Sequence, residues 1–115
     1  MKNVAQKNLR NYITPAGKIP FLEWLNNLKD PRTRFRIRRR LDRLELGNFG
    51  DCKPVGDGVS ELRLAFGSGY RIYFTEYDDI IIILFCAGDK SSQQKDIKTA
   101  KLYWQELQER MNEQN

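Results

Sequence analysis

Apolar and polar residues alternate most regularly from Glu61 to Lys90, in the run ELRLAFGSGYRIYFTEYDDIIIILFCAGDK. Leu62, Leu64 and Phe66 alternate with Glu61, Arg63 and Ala65, and Tyr70, Ile72 and Phe74 alternate with Arg71, Tyr73 and Thr75. A period of two puts alternate side chains on opposite faces of a strand. Gly67-Ser68-Gly69 and Asp78-Asp79 divide the run as the turns of an antiparallel meander would. A hairpin loop confined to 67–69 sets Phe66 opposite Tyr70, Ala65 opposite Arg71 and Arg63 opposite Tyr73. That register gathers Arg63, Arg71 and Tyr73 on one face and leaves the apolar residues on the other. Ile80 to Ala87 is apolar on both faces, which predicts a central strand. It ends at Gly88-Asp89-Lys90, so a lysine reaches the sheet's edge.

The rest of the chain supplies one earlier strand and three helices. Leu9 to Thr14 alternates and is rich in strand formers, and Pro15 to Lys18 reads as a turn. Phe21, Leu25 and Leu28, with Trp24 beside them, fall at helical spacing behind Pro20, a residue suited to a first helical turn. Asp30 and Pro31 read as the cap and first residue of a second helix running to about Leu46, stopped by Gly47. Its apolar stripe is Ile37, Leu41 and Leu44. Asn48 to Gly58 is rich in glycine and aspartate and reads as a loop, with room for a short strand around Cys52 to Val55. Ile97, Ala100, Trp104, Leu107 and Met111 form the core stripe of a last helix that Ser91 or Ser92 can cap. The polar end, Asn112 to Asn115, is expected to fray. The order β-α-α-β-β-β-α predicts one α+β domain over residues 1–115: an antiparallel sheet of about four strands, helices on one side, two of them N-terminal and one C-terminal.

Composition narrows the chemistry. The chain has 115 residues and a formal charge of +5, which fits an anionic partner, either nucleic acid or an acidic protein segment. It contains no histidine, which removes the commonest general base and serine-triad chemistry. Two cysteines without histidine argue against a zinc site, and the glycine-rich loop lacks the Gly-Lys-Ser/Thr ending of a P-loop. No metal or other cofactor is expected. There is no twenty-residue apolar run and no apolar leader core in the first eight residues, so a cytoplasmic protein with reduced Cys52 and Cys86, and no membrane partner, is expected.

The second helix carries Arg32, Arg34, Arg36, Arg38, Arg39, Arg40 and Arg43. Arg32, Arg36, Arg39, Arg40 and Arg43 share a broad side. They read either as a solvated face or as a patch contacting phosphates. The same side would equally grip an acidic partner segment.

Phe21 to Leu25, the arginine-rich helix ending Leu41-Asp42-Arg43-Leu44, the block GNFGDCKPVGDGVSELRLAFGSGYRIYF and the closing Cys86 to Gln93 together resemble the HigB/RelE-type toxins of type II toxin–antitoxin modules. More narrowly, they resemble the branch labelled addiction-module killer proteins. The resemblance implies a RelE-like fold and a small basic, metal-independent endoribonuclease. Such a protein cuts mRNA in the ribosomal A site and is neutralised by a cognate antitoxin, often a small helix-turn-helix protein. Carried over by position, Arg71 contacts the scissile phosphate and Lys90 stabilises developing charge, with Arg63 at a neighbouring basic position. Arg36, Arg39, Arg40 and Arg43 would contact RNA or the ribosome, and Tyr70 or Tyr73 would stack on a base. The late tyrosine of many relatives falls near Asp96, where there is none. The proton acceptor is then Asp96, Glu61 or a lysine. The alternative is a weak or inactive relative that only binds an antitoxin or nucleic acid.

Overall fold

In the computed structural model the described residues run from 6 to 113. The N-terminal residues read as lacking an apolar leader, and the last two residues of the tail expected to fray, lie outside that range in part or whole. The elements are β1 (Asn8–Asn11), α1 (Pro20–Asn27), α2 (Pro31–Glu45), β2 (Cys52–Gly56), β3 (Val59–Arg63), β4 (Arg71–Tyr77), β5 (Ile81–Gly88), a 3-10 turn (Lys90–Ser92) and α3 (Gln93–Glu113).

The α+β class holds, and three details of the sheet differ from expectation. It has five strands in the order β1-β5-β4-β3-β2, the short strand at Cys52 being a full member. It is mixed, because β1 lies parallel to β5 while the other neighbours are antiparallel. Helices cover both faces. On one, Phe21 and Leu25 of α1 and Ile37, Leu41 and Leu44 of α2 pack on Leu62, Ile72, Phe74, Ile82 and Leu84. On the other, Ala100 and Trp104 of α3 pack on Val59, Tyr73, Ile83 and Phe85. A strand apolar on both faces needs two covering layers. β5 lies inside the sheet as its composition predicts, with β4 at the centre.

The β3–β4 register is two residues from the expected one: Arg63 faces Arg71, and Glu61 faces Tyr73. Leu64 N–H bonds the Tyr70 carbonyl at 2.9 Å, so the loop is wider than 67–69. Inside it, Phe66 and Tyr70 still meet edge to face, 5.9 Å between ring centres. A slip of one would exchange the faces, but a slip of two conserves them. Arg63, Arg71 and Tyr73 therefore do share a face. A bulge between Tyr73 and Phe74, against β5, lets Phe85 and Cys86 both join the α3 layer.

Caps explain where α2 and the C-terminal helix begin. Asp30 accepts from the Arg32 N–H at 3.0 Å, with Pro31 first in α2. The C-terminal helix is introduced by Asp89, not Ser91 or Ser92: its carboxylate takes the Ser91 N–H at 2.9 Å, and Ser92 Oγ accepts from the Asp89 N–H. Helical structure continues through Asn112 to Glu113.

Arg40 differs from its neighbours. It is 8% exposed, and its guanidinium donates to the carbonyls of Asn48 and Phe49, tying the loop after α2 to the helix. Expected to contact RNA, it lines a cleft together with Arg36, Arg39 and Arg43, while its guanidinium holds two backbone acceptors. Arg40→Met should destabilise the fold by about 2 kcal/mol in chemical denaturation, because two backbone carbonyls lose their charged donor. Arg39→Met, at an exposed position, should change stability by no more than about 0.5 kcal/mol.

Candidate active site

The α3 face of the sheet carries one buried carboxylate. Glu61 is 0% exposed. It accepts from Arg63 Nε at 3.0 Å, Tyr73 OH at 3.1 Å and Gln93 Nε2 at 2.8 Å, with Arg71 Nε 3.7 Å away. Burial alone would raise its pKa. The hydrogen bonds from Gln93, Arg63 and Tyr73 and the Arg71 charge outweigh burial, holding it below the usual carboxylate range. A carboxylate so surrounded is a poor proton acceptor. The same network fixes Tyr73: its ring is fully buried and its hydroxyl's pKa is driven up by burial and by Glu61. The expected stacking face is therefore enclosed in the core.

Arg71 is held from two sides. Its Nη1 donates to the Gly69 carbonyl at 2.9 Å, while Nε faces Glu61 without a hydrogen-bond partner of its own. The side chain is 13% exposed, so a small part of it reaches solvent. Lys90, exposed, begins the 3-10 turn, and its N–H meets the Ser68 carbonyl at 3.4 Å. Gly69 lies against both residues. A Cβ there would stand 3.5 Å from both Arg71 Nη1 and Lys90 Cβ, and its φ of +76° lies in the left-handed region.

Asp96 comes to the same end of the sheet. Ser92 Oγ donates to its Oδ2 at 2.5 Å. Burial raises its pKa, Asp89 adds to the rise, and the Ser92 hydrogen bond and Lys95 oppose it. Its carboxylate lies against Gly88, the residue paired with Arg71, where any Cβ would overlap Asp96 and Ser92. Cys86 donates to the Asp96 carbonyl, and burial pushes its thiol up to about 12, so it is no nucleophile at neutral pH.

The α2 arginines form a separate wall. Arg36, Arg39 and Arg43 line a cleft of about 420 Å³ whose opposite side is Arg63 to Phe66. The Arg36 guanidinium lies 4.0 Å above the Phe66 ring. Arg63 lines this cleft while bonding Glu61, and so joins it to the Arg71 cluster. Among the described residues no group of histidine, cysteine or carboxylates could hold a metal, and no helix is long and apolar enough to cross a membrane.

The fold thus brings Arg63, Arg71, Lys90 and Asp96 to one end of the sheet, extends Arg36, Arg39 and Arg43 beside them, and buries Arg40 and Tyr73. Sequence reasoning missed Gln93, Ser92 and Gly88. Glu61 was legible as a carboxylate two residues from Arg63, on the same face; nothing in the sequence signals Gln93.

A cationic cluster anchored on a buried carboxylate at one end of a mixed sheet defines a small basic module. Residues 23–111 match the family described as Phage derived protein Gp49-like (DUF891), and the chain belongs to it. This is a toxin–antitoxin-like, addiction-module killer family, which implies an antitoxin partner. Among curated proteins, the chain is 51% identical over 89 residues to an uncharacterized protein of Haemophilus influenzae, covering 77% of this chain and 90% of that one.

A lowered carboxylate pKa stabilises the fold above the group's unfolded pKa, and that stability is lost as pH falls through the folded value. Thermal melts of the parent should therefore lose stability on acidification below the ordinary glutamate range. Glu61→Gln should lack that step and should melt lower at pH 7. Equal acid dependence in both would remove Glu61 as the anchor.

Proposed function

We propose that this chain is the toxin of a type II toxin–antitoxin pair, a single RelE-like domain of the HigB kind that cuts mRNA on the ribosome. The observation that carries the reading is the convergence of Arg71 and Lys90 at the Gly69 turn, with Arg71 braced by Glu61. Cleavage by a 2′-hydroxyl needs a proton acceptor and donors for the charge that develops on the phosphate. In this reading the 2′-oxygen bonds to phosphorus while its proton passes to the Asp96 carboxylate. Arg71 and Lys90 bind the phosphate oxygens. The 5′-oxygen leaves with a proton from water, and a 2′,3′-cyclic phosphate remains. Arg36, Arg39 and Arg43 hold neighbouring phosphates of mRNA or ribosomal RNA, with Arg63 between the two groups.

A second reading, binding without cutting, draws on the enclosure of Tyr73. Its hydroxyl is committed to Glu61, so Tyr73 is not free to move a proton beside Arg71. Both readings keep the same partner surface and differ in turnover.

Primer extension on mRNA in a purified translation system separates them. The nuclease reading expects ribosome-dependent cuts, slowed about 10²–10³-fold in Arg71→Ala, the usual effect of losing one charge-stabilising donor. Because the Asp96 pKa is raised, the cutting rate should climb with pH through that pKa and then level, and Asp96→Asn should flatten the climb. Absence of cuts from folded protein that still binds ribosomes would establish the binding reading.

A further inference from the structure

One margin of the sheet is open over a short window. β1 bonds β5 through Asn8 N–H to Ile80 O at 2.7 Å and Tyr12 N–H to Leu84 O at 2.9 Å. Successive strand residues turn their backbone groups to opposite sides, so Leu9 and Asn11 face outward. Beyond each end the outward groups are occupied. Lys7 N–H meets the Glu45 carbonyl at 2.6 Å, and Arg110 Nη2 donates to the Ile13 carbonyl at 2.9 Å. Between them, the N–H and C=O of Leu9 and Asn11 have no hydrogen bond to any described residue.

A hollow opens on each side of this window. One, of about 280 Å³ on the α3 face, is walled by Tyr12, Tyr77, Ile81, Leu107 and Met111. The other, of about 220 Å³ on the α1 face, is walled by Leu9, Phe21, Leu22, Leu25 and Leu41. Asn11 borders both, and its side-chain oxygen is buried without a donor, a feature native folds seldom retain. Arg10 borders both hollows, Arg110 the first and Arg38 the second, and no carboxylate lines either. Arg10 and Arg38 are exposed and make no ion pair with a described residue.

We propose that this edge receives an extended segment of a partner protein, a short apolar run bracketed by carboxylates. The segment would add a strand beside β1 through Leu9 and Asn11. Its alternate side chains would enter the two hollows, and its carboxylates would meet Arg10 and Arg38. Strand addition draws affinity from the main chain and specificity from pockets for alternate side chains. The shortness of the window and the arginines flanking it disfavour indiscriminate pairing and select an acidic strand. The inference goes beyond the nuclease reading and stands without it, because no residue of the Arg71 cluster takes part.

The test uses the full chain and a labelled peptide, acetyl-Asp-Glu-Val-Ile-Val-Glu-Asp-amide. Three results are expected: saturable binding by fluorescence anisotropy, slowed hydrogen exchange at the Leu9 and Asn11 amides, and unchanged binding to Arg71→Ala. The doubly changed Arg10→Glu, Arg38→Glu protein should bind at least about tenfold more weakly. The same peptide N-methylated at alternate residues keeps its side chains but cannot pair, and should not bind; this control leaves the protein's fold untouched. Equal binding of the N-methylated peptide, no saturation at millimolar peptide, or protection only around the α2 cleft would each overturn the proposal. Dimerisation in sedimentation that protects the same two amides without peptide would overturn it in favour of a second copy of the chain.

Discussion

A carboxylate sealed from water costs several kcal/mol unless donors surround it. Glu61 meets that condition by recruiting four side chains from three elements: Arg63 on its own strand, Arg71 and Tyr73 on β4, and Gln93 at the start of α3. The cationic end of the molecule follows from this requirement. Two arginines facing each other across strands repel unless a negative charge lies between them, and Glu61 is that charge. It also commits the tyrosine hydroxyl and the first residue of the closing helix. The Glu61 network therefore couples the β3–β4 register, the docking of α3 and the aim of Arg71.

The two arginine groups illustrate how one residue type serves opposite ends. Arg40 satisfies backbone carbonyls that would otherwise be stranded in the loop after α2, and Arg71 is braced and largely buried. Arg36, Arg39 and Arg43 stay on an open cleft with the aromatic face of Phe66 beneath Arg36. Position relative to the core, and not charge alone, separates those that hold the fold from those free to meet an anion. Arg63 belongs to both sets and gives the surface its continuity.

Much of this was legible in the sequence. The period of two placed Arg63, Arg71 and Tyr73 on a common face, and a register change of two residues left that result intact. Asp30-Pro31 opened α2, and the stripe from Ile97 to Met111 marked α3. Three things were not legible. The parallel pairing of β1 with β5 joins segments far apart in the chain and leaves no local signal. Helices were expected on one side only; that α3 takes the face opposite α1 and α2 was decided by tertiary packing. The enclosure of Tyr73 depended on where the Glu61 carboxylate points, which no periodicity encodes. At the site, arginine and lysine types were readable, while Gly88 and Gln93 matter through space and distance.

The β1–β5 pairing has a consequence for how the chain reaches this state. Asn8 pairs with Ile81, 73 positions further along the chain, and closing so long a loop costs entropy before any contact returns it. Such topologies fold more slowly than those built from neighbours in sequence. Gln93 and Asp96, both at the start of the last helix, come later in the chain than the strands they complete. During synthesis the cationic end thus remains unassembled until the final helix leaves the ribosome, and a chain cut short before it would lack two of the residues that meet there.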